Sequence, residues 1–335
     1  MEPVPEVDYA ATSSRPQWED LPVGVREALS VAAGGVVRRA EPSVTSGFSG
    51  GFAAVLHLVS GRRVFAKAGS DVNRHLIDAY RREALVLDAL PETVPAPRLV
   101  GAASLDPGDA DERAWQIVVV EAVEGRMPHP WTEPDLEAVH RACLAAVEAL
   151  DPPPAALAPV LGSLVREYAE DVSIRRVFAD LETGRTALTW GQPAWLPRRY
   201  PDLDALLAVA PAALEGTVGT HGDLRADNVL ISGGRAVVVD WNWLSLGPAW
   251  ADLVGVLPLA RADGLDVDRV LRTSPLTRDA EPEHVDSWLA VIAAYMLANA
   301  DRPVFPGGTP ALRVHQRRYA RTFLDWLGAR RGWTP

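Results

Sequence analysis

The hydrophobic pattern of this chain changes character once, near Gly125. Before that point, short Val-rich apolar runs alternate with Gly, Ser and Pro turns, which is typical of β-strands. After it, Ala- and Leu-rich segments with helical spacing dominate, at residues 133–150, 161–182, 202–214, 249–261, 283–300 and 310–331. A strand-like island, residues 219–243, interrupts them. The pattern predicts an α+β protein with a small β-rich part followed by a larger, mostly helical part.

These changes of pattern predict three regions in the chain. Residues 1–35 are an N-terminal extension and a helix, residues 36–124 are the small β-rich unit, and residues 125–335 are the helical unit. The two units are expected to join near residues 121–126. Within the extension, residues 1–18 are polar and rich in Pro, so they are expected to be loose.

The β-rich unit is predicted to begin with a hairpin. The segment "SGFSGGFAAVLHLVSGRRVFAKA" indicates two strands with a turn at Ser60-Gly61. A helix is expected at residues 71–90, with Asp71 as its N-cap. Two further strands are predicted at residues 97–104 and 115–123.

Charge and composition exclude several classes of protein. A net charge of −11, spread evenly along the chain, argues against binding to nucleic acid or to an anionic membrane surface. The longest apolar run, residues 289–300, is too short to cross a bilayer. The single cysteine, Cys143, allows no disulfide within the chain, and "MEPVPEVDYA" lacks the apolar core of a signal peptide. A cytoplasmic protein is expected, and its oligomeric state stays open.

Lys67 is the only lysine among 33 Lys and Arg residues. An ammonium and a guanidinium are not interchangeable where geometry matters, so this position is a candidate for function. A second anomaly follows on the predicted helix 71–90, where Glu83 occupies the apolar stripe formed by Leu76, Tyr80 and Leu87. A buried carboxylate requires a partner. An ion pair between Lys67 and Glu83 would explain both anomalies.

The motif "HGDLRADNVL" and the strand "RAVVVD" place Asp223, Asn228 and Asp240 around a predicted hairpin. In a regular hairpin, Asn228 and Asp240 share a face if the loop has three residues but not if it has two, and the sequence leaves the loop length open. Asn and Asp oxygens at strand ends suit Mg²⁺, which takes only one or two protein carboxylates. Asp223 would then be free to accept a proton from a hydroxyl.

Together, "HGDLRADN" and "VVVDW", preceded by a Gly/Ser turn, a strand lysine and a helix glutamate, resemble the aminoglycoside phosphotransferase and choline kinase-like family. The resemblance extends over roughly residues 44–300. It implies a protein-kinase-like fold with two lobes. It also implies transfer of a phosphoryl group from ATP to a small molecule, assisted by Mg²⁺.

The resemblance implies a role for each matching residue. Asp223 is expected to be the catalytic base, and Asn228 and Asp240 are expected to bind Mg²⁺. His221 is expected to pack the catalytic loop, and Asp252 to hold its backbone. The positions implied to bind the nucleotide are Lys67 and Glu83 at the phosphates, Ser46, Gly47 and Ser49 in the Gly/Ser turn, and the backbone of Glu121 and Val123 at the adenine.

The acceptor is expected to be a small molecule and not a protein, because Trp241-Asn242 follows Asp240 where protein kinases have Phe-Gly. An aminoglycoside, a sugar, an amino sugar or an amino alcohol all stay open. Indoles suit sugar faces or a quaternary ammonium, and carboxylates suit a cationic acceptor, although core packing and solvated helix faces are the more ordinary roles. The candidate side chains are Trp190, Trp195, Trp241, Trp243, Asp227, Glu170 and Asp171.

Two other functions fit parts of the same pattern. A catalytically silent pseudokinase would bind the nucleotide without transferring phosphate. A metal-dependent hydrolase would use His221, Asp223 and Asp240. Such a site needs further His ligands, and the other six histidines show no ligand spacing.

Overall fold

The fold was analysed in a computed structural model that describes residues 6–304 and 308–333. Its N-terminal lobe is built on a five-stranded antiparallel sheet with the strand order β1-β2-β3-β5-β4. One helix precedes the sheet and a second lies between β3 and β4. The elements are α1 (Val23–Ala32), β1 (Val37–Ala40), β2 (Phe52–Leu58), β3 (Arg63–Ser70), α2 (Arg74–Ala89), β4 (Leu99–Leu105) and β5 (Trp115–Glu121).

The sheet is covered on both faces, which explains why its inner strand β5 has an unbroken apolar sequence. On β5, Ile117 and Val119 belong to the core on the α1 side, whereas Val118 and Val120 belong to the core that includes α2. Successive side chains of a strand point to opposite faces, so a strand covered twice must be apolar at every position. The pattern "IVVV" is therefore typical of an inner strand that is covered on both faces.

The C-terminal lobe is mostly helical, as the sequence predicted, and contains two small sheets. The helices are α3 (Glu133–Ala149), α4 (Leu164–Glu170), α5 (Val172–Glu182), α6 (Tyr200–Ala213), α7 (Ala251–Ala262), α8 (Val267–Thr273), α9 (Pro282–Asn299) and α10 (Ala311–Arg330). The strands are β6 (Gly162–Ser163), β7 (Val218–Thr220), β8 (Val229–Ser232), β9 (Arg235–Val238) and β10 (Ser245–Gly247). Among the described residues, none of the helices is both long and apolar enough to span a bilayer.

The predicted helices 161–182 and 71–90 differ clearly from the observed helices. The predicted helix 161–182 is two helices, because Asp171 accepts hydrogen bonds from the backbone N–H groups of Ser173 and Ile174 and so caps a new helix. The predicted N-cap Asp71 instead lies in a 3₁₀ turn, and α2 begins at Arg74. A short polar side chain can stabilise several alternative backbone turns, and the sequence did not decide between them.

The prediction that residues 1–18 are loose is wrong for the described residues 6–18. Tyr9 and Thr12 are buried. The Tyr9 hydroxyl lies 3.1 Å from Nδ1 of His315 on α10, so the beginning of the chain packs against its last helix. Residues 1–5 lie outside the described part of the chain. A Pro-rich composition predicted flexibility, but these long-range contacts fix the segment.

Because His315 is buried, stability is expected to depend on pH. Desolvation, together with the charge of Arg225, holds the pKa of His315 well below its ordinary value of 6.5. Below about pH 6.5, His315 therefore binds a proton in the unfolded chain but not in the folded chain. The free energy of unfolding should fall by up to about 1.4 kcal/mol per pH unit in that window, and the stabilisation is complete above it.

Urea unfolding between pH 7.5 and pH 5 measures this effect. His315→Asn keeps a side-chain acceptor for the Tyr9 hydroxyl. In this variant the free energy of unfolding is expected to depend less on pH over this range. His284→Asn, at a partly exposed position on α9, is the matched control. An unchanged slope in His315→Asn would show that other groups carry the dependence.

Candidate active site

Lys67 and Glu83 form the ion pair that the sequence predicted. On β3 the side chains of Val64, Ala66 and Ala68 enter the core beneath α1, so Lys67 points to the opposite face. There its Nζ donates to Oε1 of Glu83 at 2.8 Å and to Oε2 at 2.9 Å. Glu83 has only 3% of its side chain exposed, so the lysine stabilises a carboxylate that could not otherwise stay charged.

Asp240 completes this cluster from the C-terminal lobe. Lys67 Nζ also donates to Oδ1 of Asp240. Burial alone would lower the pKa of Lys67, but the carboxylates of Asp240 and Glu83 outweigh it and hold that pKa above its ordinary value. One permanently charged ammonium therefore connects β3, α2 and the segment that follows β9, and it joins the two lobes.

The hairpin that leads to Asp240 has a two-residue loop, Gly233-Gly234, because Ser232 pairs with Arg235. Regular geometry would then place Asn228 and Asp240 on opposite faces. Asp240, however, lies beyond the end of β9 with φ +63°, the only positive φ outside glycine among the described residues. This left-handed turn redirects the carboxylate, and both side chains line one cavity.

The loop before Asn228 is held by the partly buried Asp252 and the buried His221. Asp252 on α7 accepts from the backbone N–H of His221 at 2.6 Å and of Gly222 at 3.1 Å. His221 Nε2 donates to the carbonyl of Val239 at 2.9 Å, and its Nδ1 accepts from the backbone N–H of Asp223. Both ring nitrogens of His221 are thus engaged, so the residue positions the loop and is not available as a base or a metal ligand.

Gly222 is required for the close packing of this loop. Its φ is +79°, and a Cβ built there would lie 2.5 Å from the carbonyl oxygen of Trp243. Any side chain would push the loop away from the segment after Asp240. The centre of the "HGD" motif therefore requires glycine for its backbone conformation, between the candidate side chains His221 and Asp223.

Asp223 faces the cavity and contacts two polar side chains. Arg225 Nη1 lies 3.2 Å from Oδ1 of Asp223, and Asn228 Nδ2 donates to the Asp223 carbonyl at 2.8 Å and to its Oδ2 at 3.3 Å. Burial raises the pKa of the Asp223 carboxyl, and Arg225 opposes that rise only in part. A carboxylate with a raised pKa and an open side toward a cavity can accept a proton.

A cavity of about 560 Å³ lies between the lobes and brings the predicted positions together. Its walls include the phosphate-side candidates, the loop candidates and the segment that connects the lobes. The lining contains Ser46, Gly47, Ser49, Lys67, Glu83, Glu121, Val123, Asp223, Asn228 and Asp240. The N–H of Glu121 already donates to the carbonyl of Arg98, so only the carbonyl of Glu121 could bind an adenine.

Comparison with known proteins identifies the family. A sequence model of the phosphotransferase enzyme family (APH) matches residues 44–295. The chain belongs to this phosphotransferase family. The match contains the Gly/Ser turn, Lys67, Glu83 and the loops that carry Asp223 and Asp240. No curated protein matches the phosphotransferase significantly over its sequence.

Solved structures share the protein-kinase-like fold of this phosphotransferase at low sequence identity. A thermostable mutant of aminoglycoside phosphotransferase APH(4)-Ia, in a ternary complex with AMP-PNP and hygromycin B, has a TM-score of 0.59 at 14% identity, covering 92% of this chain and 99% of that one. A proposed aminoglycoside phosphotransferase from Ralstonia eutropha has 0.58 at 18%, covering 91% and 98%. A proposed fructosamine-3-kinase from Thermobifida fusca has 0.53 at 21%, covering 90% and 98%.

The structure corrects the residues suggested for the acceptor side of the phosphotransferase. Trp190, Trp195 and Trp241 are buried in the core, whereas Trp243 is 48% exposed and lines the cavity. Asp227 is held by Arg225 through two contacts of 3.1 Å. These tryptophans show no distinguishing pattern in the sequence, so only packing separates the one at the cavity from those in the core.

Two arginines at the cavity were missed by sequence reasoning. Arg225 lies inside the recognised motif, and Arg15 lies in the segment that was expected to be loose. The chain contains 32 arginines, so no arginine stands out by type alone. The position of Arg225 between two aspartates was the available signal, and Arg15 had none.

Proposed function

We propose that this protein is a phosphotransferase that moves the γ-phosphate of ATP to a hydroxyl group of a small molecule, with Mg²⁺ as the required ion. The observation that carries the proposal is one cavity that joins the Lys67–Glu83 pair with Asp223, Asn228 and Asp240. A cation for phosphates, a carboxylate base and two oxygen ligands are the parts that phosphoryl transfer needs. Family membership supports the same chemistry.

The nucleotide is proposed to lie between the sheet and the connecting segment. Apolar side chains from both lobes, Val55, Phe65, Val120 and Leu230, line that end of the cavity and suit an adenine ring. Phe65 is two residues before Lys67 on β3 and therefore shares its face. The base would rest near Phe65 while the phosphates extend toward Lys67.

The residues present fit a magnesium ion. Asn228 commits its amide nitrogen to Asp223, which leaves the amide oxygen as its ligand atom, and Asp240 offers a carboxylate that is 43% exposed. Mg²⁺ needs no more than this from a protein when phosphate oxygens and water supply the remaining ligands. When bound, the ion would neutralise negative charge on the transferring phosphate.

The catalytic step is assigned to Asp223. We propose that its carboxylate orients the acceptor hydroxyl and takes its proton as the oxygen attacks the γ-phosphorus. As this bond forms, the bond between the γ-phosphorus and the oxygen that bridges to the β-phosphate breaks, and ADP is the leaving group. Lys67 would neutralise negative charge on the departing ADP. Arg225 would keep the carboxylate of Asp223 in place during this step.

The two alternative functions receive less support. A hydrolase would need His221 as a ligand, but both of its ring nitrogens are engaged. Across residues 6–304 and 308–333, no group of three or more His, Cys, Asp and Glu side chains could hold a metal ion. A pseudokinase has no observation in its favour, since every residue proposed for transfer lines the cavity.

The proposed use of ATP also supports a cytoplasmic location for this protein.

Among the acceptors, we propose a neutral hydroxyl compound such as a sugar. The carboxylates considered for a cationic acceptor have other roles: Asp227 is paired with Arg225, Asp171 caps α5, and Glu170 is exposed beside Arg166. Trp243 offers an exposed indole at the cavity, which suits the apolar face of a sugar ring. None of these three carboxylates is therefore free to bind an ammonium group in the cavity.

Transfer from labelled ATP to a panel of acceptors tests the function and the acceptor class together. The panel contains neutral sugars, amino sugars, aminoglycosides, choline and homoserine-like alcohols, each with and without Mg²⁺. Neutral sugars are expected to give the highest kcat/KM, and omission of Mg²⁺ should abolish transfer. A preference for an aminoglycoside would contradict the acceptor assignment, and binding of ATP without transfer to any compound would favour the pseudokinase.

A further inference from the structure

The N-terminal segment of residues 8–17, here called the strap, lies on the Gly/Ser turn of the N-terminal lobe. The backbone N–H groups of Thr12 and Ser13 donate to the carbonyl of Thr45 at 2.9 and 2.8 Å. The Thr12 hydroxyl donates to the carbonyl of Gly47 at 2.6 Å. Thr12 is fully buried. The strap therefore fixes the turn from outside the β-sheet.

The strap also reaches the C-terminal lobe. Tyr9 contacts His315 on α10, and the ring of His315 packs 4.5 Å from that of Phe48 in the Gly/Ser turn. The guanidinium of Arg225 lies 5.9 Å from the ring centre of Phe48. The turn is thus held between the strap, α10 and the catalytic loop, and its position depends on all three.

Arg15 is the strap residue that enters the cavity. Its Nη1 donates to Oγ of Ser49 at 2.9 Å and to the carbonyl of Gly51 at 2.8 Å, and its Nη2 donates to the carbonyl of Ser46 at 3.1 Å. A phosphate is attracted by N–H groups and repelled by carbonyl oxygens. By binding two carbonyls at the ends of the turn, Arg15 removes them from the surface that would face a phosphate.

Arg15 also brings a positive charge into the phosphate end of the cavity. Arg15 and Lys67 line the same cavity. A bound triphosphate would therefore meet two cations, one from β3 and one from the strap.

We propose that Arg15 is a positioning residue of the nucleotide site, which holds the Ser46–Gly51 turn over the phosphates of a bound nucleotide and adds a second cation beside Lys67. The inference rests on the proposed function. Arg15 lies outside residues 44–295, so the family match assigns it no role. The ligand group that it serves is the phosphate chain and not the adenine.

Calorimetric titration of the full chain with Mg²⁺·ATP, Mg²⁺·ADP and adenosine tests this inference. Arg15→Gln keeps a polar side chain but loses the positive charge and the planar guanidinium, which donates from two nitrogens. It is expected to raise the Kd of ATP and of ADP by about tenfold, the loss of a charged hydrogen bond. The Kd of adenosine should stay unchanged, because its contacts lie at the other end of the cavity. Arg38→Gln, at an exposed position on β1, is the matched control.

The outcomes separate the inference from the function on which it rests. A wild-type Kd for ATP in Arg15→Gln would overturn the positioning role. An equal loss of affinity for adenosine and ATP in Arg15→Gln would also overturn it, since this would indicate that the substitution disturbs the whole N-terminal lobe and not only the phosphate site. If the wild-type protein binds adenosine and ATP equally weakly, the proposed function itself fails, and the inference with it.

Discussion

Asp223→Asn is expected to lower kcat by about 10²- to 10⁴-fold, the usual contribution of a general base. The amide keeps the shape of the side chain but cannot accept the proton of the acceptor hydroxyl. Arg225 retains its two contacts to Asp227 in this variant, so the loop should keep its conformation. The Kd of Mg²⁺·ATP should change by less than about threefold, because the lost group acts in the transition state.

The measurement is steady-state transfer from labelled ATP together with calorimetric binding of ATP. Asp279→Asn, whose side chain is 84% exposed, is the matched control. In the wild-type enzyme, activity should fall on acidification through a pKa above the ordinary value of 3.8, because burial raises the pKa of Asp223 and the protonated form cannot act as a base. Normal turnover in Asp223→Asn would refute the mechanism.

Lys67→Met is expected to reduce both stability and activity. The substitution leaves Glu83 buried without its cation, which should lower the free energy of unfolding by about 3–5 kcal/mol. Phosphate transfer should be lost as well, since the phosphates lose their main positive charge. Urea unfolding and the transfer assay measure the two effects separately.

The double variant Lys67→Met/Glu83→Leu separates these two roles of Lys67. It replaces the buried pair by apolar groups, so most of the stability should return while transfer stays absent. The matched control is Arg141→Met, because the exposed pair of Arg141 with Glu137 on α3 should contribute less than about 1 kcal/mol. Recovery of transfer in the double variant would exclude a direct role for Lys67 at the phosphates.

Lys67→Arg examines the geometry of the same position. The ammonium makes contacts of 2.8 and 2.9 Å to the two oxygens of Glu83 and a third contact to Asp240 from one atom. A longer, planar group cannot place its charge at that point, so kcat/KM should fall by about tenfold or more although the charge is conserved. Equal activity would mean that the single lysine of the chain has no special function.

Much of the site could be predicted from the sequence because it depends on local patterns. Glu83 on an apolar helical stripe was predicted to be buried and paired with the one lysine on the preceding strand, and the structure contains this pair. The unbroken apolar run of β5 required a strand covered on both faces. The order of these elements and of the "HGDLRADN" motif then determined the fold and the family.

Only the tertiary structure decided how the distant segments meet. Periodicity shows which face of an element is buried, but it does not show which remote segment covers that face. The left-handed backbone of Asp240, the arginine held between Asp223 and Asp227, and the strap that brings Arg15 to the Gly/Ser turn all depend on such contacts. Their energies arise from packing between residues far apart in the chain, and no local pattern encodes them.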